Sequence, residues 1–236
     1  MPTIEELDAR YYRTEIDDHA VFDRAVRRHL SPEAVVLDAG AGRGVRYPYD
    51  YKERVGRLIG VDVDPNIFDN RIVHDAVRGD LAHLPFRGAT FDTVFSKYVF
   101  EHLTEPLATM RELRRVTRSG GHLVIHTPNR YHYVALGAMI TPRRFHTWFS
   151  RQRGREEVDT FPTVYKANDR RTLERLATRS GYRIEEILLL EPRPTYLFFH
   201  PLAYRAGIAY ERLVARHEAL QDLRCVIVAT FRAVGP

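Results

Sequence analysis

The chain has 236 residues, of which 44% are hydrophobic and 28% charged, a balance that permits a sizeable core and excludes disordered or fibrous classes. Its formal charge is +5, and because lysine occurs only at Lys52, Lys97 and Lys166 the basic residues are nearly all arginine, which slightly favours anionic ligands and leaves nucleic acid undecided on charge alone. A single cysteine, Cys225, excludes an intrachain disulfide and a thiolate zinc site; with no secretory pattern near the start and no window approaching ~18 apolar residues, a cytoplasmic location is expected and peripheral membrane contact stays open.

Residues 4–30 carry apolar side chains near helical spacing, including Leu7, Tyr11, Ile16, Ala20 and Val26, and stop before Ser31-Pro32. They predict one or two helices ahead of the core. Strand patterns follow at 35–37, 58–61, 76–78, 91–97 and 121–126, and their alternation with helical stretches predicts a parallel sheet covered by helices. Between the last two, 104–118 has Pro106 in its first turn and Leu107, Met110, Leu113 and Val116 on one face, a helix expected to end at Gly120-Gly121.

The stretch 129–162 breaks this regularity with prolines, aromatics and a mixed charge run, and reads as an insertion or lid. The arginines at 143–155 are a possible anion grip, but Glu156, Glu157 and Asp159 beside them favour a solvated segment. Beyond it, Asn168 or Asp169 can cap a helix through Thr172, Leu173, Leu176 and Ala177 that ends at Gly181. Strands are predicted at 182–190 and 224–231, with a helix at 202–220 between them.

The chemistry begins at Val35-Val36-Leu37-Asp38-Ala39-Gly40-Ala41-Gly42-Arg43-Gly44. A branched apolar strand ending in an acid and three alternating glycines lets the backbone turn tightly and approach a ligand. Val45 stands where a dinucleotide fingerprint needs glycine or alanine, so that pattern fits imperfectly. About 20 residues further on, Asp62 ends the second strand, where a carboxylate can hold a ribose diol. Then come Gly79-Asp80-Leu81-Ala82-His83-Leu84-Pro85-Phe86, Phe91 to Lys97 with Val99-Phe100-Glu101-His102-Leu103, and Arg115 to Ile125.

Taken as Asp-x-Gly-x-Gly-x-Gly and the three segments downstream, residues 33–129 resemble the class I S-adenosylmethionine-dependent methyltransferases, four motifs in order at ordinary spacings. The resemblance implies an α/β fold, Rossmann-like and doubly wound, whose mostly parallel seven-stranded sheet has helices on both faces and an antiparallel last strand. It also implies S-adenosylmethionine as cofactor, held by Asp38, Gly40, Ala41, Gly42, Gly44, Asp62, Val63, Asp80, Leu81 and Ser96. Asp62 takes the ribose, and Asp80 and Leu81 take the adenine. The implied organisation is a helical cap at 1–32, a cofactor half at 33–128, a lid at 129–167 and a completing segment at 168–236.

Methyl transfer to a hydroxyl benefits from a base near neutrality, for which histidine suits. The candidates are His102 and His132, then His126. A lone histidine on an apolar strand is more often a hydrogen-bonded core residue, which weighs on His126. Asp92 reads as structural, and Tyr11 and Tyr12 as packing rather than cofactor cover. No oxygen cage or His-Glu-x-x-His spacing is present, so metal-independent chemistry is expected. A looser resemblance of 161–168 and 196–201 to glycan-pathway methyltransferases points to a small-molecule or glycan acceptor and O-methylation. N- or C-methylation is the alternative, nucleic acid is disfavoured as a partner, and the chain is a monomer or homodimer.

Overall fold

The protein is described by a computed structural model over residues 2–12, 17–44, 51–140 and 161–235. Val45, Ile16, the arginines at 143–155 and the middle of the expected lid lie outside the described residues. Seven strands form one sheet: β1 Val35–Ala39, β2 Arg57–Asp62, β3 Asp75–Arg78, β4 Phe91–Lys97, β5 Thr117–Pro128, β6 Tyr182–Leu190 and β7 Val226–Ala233. Their order is β3-β2-β1-β4-β5-β7-β6. β1 to β5 pair in parallel, and β7 is antiparallel to both its neighbours. This is the expected Rossmann-like sheet with its antiparallel last strand.

Six α-helices are described: α1 Ile4–Tyr11, α2 Asp18–Arg27, α3 Pro106–Val116, α4 Tyr133–Ile140, α5 Arg170–Arg179 and α6 Pro201–Arg216. The two-residue period of the strands splits the core into two layers. Leu37, Val94, Leu123 and Ile227 face α3 and α5 through Met110, Leu113, Leu173 and Leu176. Val36, Phe95, Val124 and Val228 face α2 through Phe22, Ala25 and Val26. Fully burying side chains of this size stabilises the fold by about 1.5–3 kcal/mol each, which is why α2 stays on the sheet although its own sequence is largely polar.

The local structure narrows one of these expectations and corrects another. The predicted N-terminal helical stretch is two helices, and α1 leaves the sheet to dock on α6, with Leu7 against Tyr204 and Ile208. Tyr12 donates to Glu211 Oε2 at 2.9 Å and Tyr11 lies 4.3 Å from the Arg212 guanidinium, so both pack as expected. The helix before β5 ends at Val116, not at Gly120-Gly121. The glycines instead serve a register shift in β5: Gly120 has φ +81°, and a Cβ on Gly121 would lie 2.6 Å from the Asp92 carbonyl. The first two crossovers contain 3₁₀ turns, Lys52–Arg54 and Pro65–Asp69, among the described residues.

β1 lies between β2 and β4, so consecutive connections leave it in opposite directions. That reversal opens a crevice at the carboxyl ends of β1 and β4, the place where open α/β sheets bind ligands.

Candidate cofactor and acceptor site

The glycine turn sits in that crevice. Gly40 and Ala41 both donate their N–H to Val61 O, at 2.8 and 3.1 Å, which draws the chain over the end of β2. Gly40 takes φ +87°, and a Cβ there would lie 2.2 Å from Val99 Cγ2. Gly42 also has positive φ, but its missing Cβ would meet only Asp62 Oδ2, at 4.0 Å. The space over Gly42 is a cradle where backbone can approach a ligand.

Asp62 faces the same space. Its Oδ2 accepts from Gly42 N and its Oδ1 from Asp64 N, both at 2.9 Å, and each carboxylate oxygen keeps a second lone pair for a ribose hydroxyl. Behind the turn, buried Asn70 donates from Nδ2 to Ala41 O at 3.2 Å and to Gly42 O at 3.0 Å, while its Oδ1 accepts from Ile72 N. No sequence motif marked Asn70, because it follows a 3₁₀ turn and acts on a loop 28 positions away.

Asp80 is exposed and its Oδ1 accepts from Ala82 N at 2.9 Å, with Leu81 buried beside it. Val63 is exposed just beyond β2. Ser96 departs from its assignment as a cofactor contact: it is fully buried and donates to Ala39 O at 2.7 Å, tying β4 to the end of β1. Asp92 lies at the other end of β4, where it accepts from Val35 N and pairs with Arg118. Its role is structural, as expected.

Asp38 closes the floor of the crevice beside Phe22, Gly40, Tyr51 and Lys97. Burial, and then the nearby Asp62 carboxylate, push its pKa up to about 8, while Lys97 pulls it back. Burial also brings Lys97 down to about 8, against carboxylates led by Asp18 and Asp17. A cofactor bearing positive charge therefore meets an acid whose ionisation it can restore.

The three candidate histidines separate cleanly. His132 is buried, its Nε2 donates to Glu191 Oε1 at 3.2 Å and its Nδ1 accepts from Val134 N. Both nitrogens are committed, so the structure makes His132 a support of α4, not a free base. His126 is fully buried at the end of β5, with Nε2 2.7 Å from Asp18 Oδ2. His102 follows β4, and its Nδ1 lies 3.1 Å from Pro162 O. A carbonyl only accepts, so Nδ1 carries the proton and Nε2 is left as an acceptor. Burial lowers the His102 pKa, opposed by that carbonyl.

Glu101, next to His102, was missed as a site residue. It is buried, its pKa is pushed up to about 7 by burial, and its Oε2 accepts from Thr127 Oγ1, which accepts from Asn168 Nδ2 at 2.7 Å. Its backbone carbonyl accepts from Val164 N and Tyr165 N, at 2.7 and 3.1 Å. These bonds bring 161–168 over the exit of β4.

The methyltransferase-domain family model matches residues 37–125. A malonyl-[acyl-carrier protein] O-methyltransferase of Serratia marcescens is 32% identical over 100 residues, 41% of this chain and 39% of that enzyme. A Mycobacterium tuberculosis protein described as an S-adenosylmethionine-dependent methyltransferase is 33% identical over 137 residues, 54% of this chain and 47% of its own length. The chain thus spans less than half the length of these two relatives. The geranyl diphosphate C-methyltransferase of Streptomyces coelicolor, solved with S-adenosyl-L-homocysteine, superposes with a TM-score of 0.57 at 16% identity, covering 92% of this chain and 78% of that one.

With the switch-point crevice, the glycine cradle and Asp62 in place, residues 37–125 carry a methyltransferase domain of the class I S-adenosylmethionine-dependent superfamily. Its cofactor is S-adenosylmethionine, and its enzyme class is methyl transfer.

Proposed function

We propose that the protein methylates a hydroxyl oxygen of a small molecule or glycan, with His102 as the proton acceptor. The reading is carried by the tautomer of His102: with Nδ1–H given to Pro162 O, the neutral ring keeps Nε2 as an acceptor just after β4, 4.0 Å from Glu101 Oε1. Its lowered pKa keeps it unprotonated near neutrality, as a base must be before it accepts a proton. When bound, S-adenosylmethionine supplies a methyl on a sulfonium that is its own leaving group. The protein's task is then to align the acceptor and exclude water.

Gly40 to Gly44, Asp62 and Asp38 would hold the cofactor, with Asp80 and Leu81 at its adenine. Phe161, exposed and with its ring 6.1 Å from that of His102, offers stacking surface for the acceptor, in keeping with a lid at 129–167 over a cofactor half at 33–128. No helix of the described residues is long and apolar enough to cross a membrane, and a cytoplasmic monomer or homodimer acting on a diffusible acceptor is our reading.

The test is His102→Gln assayed with S-adenosylmethionine and a panel of phenols, sugars and amines, following S-adenosylhomocysteine. Loss of a general base lowers kcat about 10²–10⁴-fold on hydroxyl acceptors. Unchanged turnover on a hydroxyl acceptor rejects His102 as base, and turnover confined to amines moves the reaction to N-methylation.

A further inference from the structure

We propose that the outer face of α6, with Phe199 just ahead of it, is a docking surface for an anionic lipid bilayer. α6 lies in the connection between β6 and β7 and has two faces. Tyr204 and Ile208 close one of them against Leu7 of α1, where Glu211 also accepts from Tyr12 Oη at 2.9 Å. The other face carries Leu202, Ala206, Ala209 and Leu213, at i, i+4, i+7 and i+11, and all four are exposed.

A helix on a protein surface ordinarily turns its polar residues outward. Here the outward stripe is apolar: Leu202 is 49% exposed, Leu213 51% and Phe199 65%. Scattered apolar residues on a surface need no explanation, whereas a continuous row along one helix face marks an interaction site.

Charge selects the occupant. Arg205, Arg212 and Arg216 are exposed along one flank of the stripe, and the acid of this helix, Glu211, lies on the docked face. An apolar stripe bordered by arginine suits a helix lying in the headgroup region of an anionic bilayer, with its side chains in the acyl boundary and its guanidinium groups at the phosphates. A second copy of the chain fits less well. A two-fold interface sets a patch against itself, and this one would gather both sets of arginines with no acid of the stripe between them.

The face belongs to the ligand end of the sheet. Pro128, Val226 and Leu190 are aligned there across β5, β7 and β6. α6 is tied to that end by Arg224, which donates to Val214 O at 3.2 Å and to Leu189 O at 3.3 Å, and by Tyr210, whose ring meets that of Tyr133 edge-on at 5.1 Å. Docking therefore turns the crevice end of the molecule toward the membrane, whichever atom is methylated, and does not rest on the hydroxyl-acceptor reading.

The experiment co-sediments the full chain with vesicles of phosphatidylcholine alone and of phosphatidylcholine and phosphatidylglycerol in equal parts, at ~0.1 M salt. The expected result is saturable binding to the anionic vesicles and roughly 100-fold weaker binding to phosphatidylcholine, from about a fivefold factor per arginine near a charged surface. Arg205→Gln with Arg216→Gln lowers anionic-vesicle binding roughly 30-fold by the same factor, and Leu202→Ser with Leu213→Ser lowers it at least ~10-fold. Ile184→Ser, which removes an exposed apolar side chain near the start of β6, binds as the wild type does. Circular dichroism melts and S-adenosylmethionine calorimetry check each fold, and Phe199→Ser replaces any variant that unfolds. Absence of binding to either vesicle, equal binding to both, or binding that the arginine and leucine variants leave unchanged overturns the surface. A concentration-dependent dimer that Leu202→Ser with Leu213→Ser dissociates, without vesicle binding, gives the face to a second copy and overturns it too.

Discussion

Asn70→Ala removes a side chain that holds the glycine turn from behind without being placed to touch a ligand. The structure gives it two donated hydrogen bonds, to Ala41 O at 3.2 Å and Gly42 O at 3.0 Å, and one accepted from Ile72 N. A neutral hydrogen bond contributes about 1 kcal/mol net, so freeing both turn carbonyls costs roughly 2 kcal/mol. If the turn is ordered mainly in the bound state, that appears as affinity lowered about 30-fold. Calorimetry with S-adenosylmethionine and a thermal melt of the free protein divide the loss between binding and stability. Asn70→Asp keeps the acceptor for Ile72 N but loses both donors, and should weaken binding at least as much. Affinity within twofold of wild type and an unchanged melt for Asn70→Ala would refute the staple.

Gly40→Ala places a Cβ 2.2 Å from Val99 Cγ2 at φ +87°, and the backbone strain alone costs about 1–3 kcal/mol; adding Val99→Ala should recover only the collision, as a double-mutant thermal melt would show. Asp38 has its folded pKa raised to about 8 from 3.8, so its own contribution to the stability of the free protein is full below about pH 4 and is lost as pH rises through 8; Asp38→Asn should flatten that decline while weakening cofactor binding. Glu101, raised to about 7 from 4.5, predicts a similar decline between those values, absent in Glu101→Gln in denaturant titrations across pH. His102, with its pKa lowered, should give an acid limb of kcat below the ordinary histidine range, and a limb at or above that range would contradict its burial.

The sheet was legible because strand and helix signals alternate and buried strands such as 58–61 read as short runs without a polar side chain. The ligand-facing end of the crevice was legible for the same reason: Gly40, Gly42 and Asp62 lie in contiguous segments whose spacing reflects the turn they make. What stayed hidden acts across the chain. Asn70 reaches back to Ala41, Asp18 and His19 meet His126, and Asn168 meets Thr127, pairings fixed by packing and leaving no local pattern. His132 and His102 looked alike in sequence because both follow strands. Only the buried Glu191, on the far side of the sheet order, distinguishes the committed ring from the open one. The Gly120-Gly121 pair misled for a related reason: glycine relieves crowding in a strand irregularity as readily as it ends a helix.

The central claim is that the turn from Gly40 to Gly44 and the Asp62 carboxylate form an S-adenosylmethionine site. Isothermal calorimetry of the full chain with S-adenosylmethionine and with NADH, in wild type and Asp62→Ala, tests it most directly. The account predicts one equivalent of S-adenosylmethionine, no heat with NADH, and affinity lowered at least ~10-fold in the variant, because a charge-assisted acceptor for the ribose and for Gly42 N is lost. Equal affinity in wild type and Asp62→Ala, or saturable binding of NADH in place of S-adenosylmethionine, would contradict it.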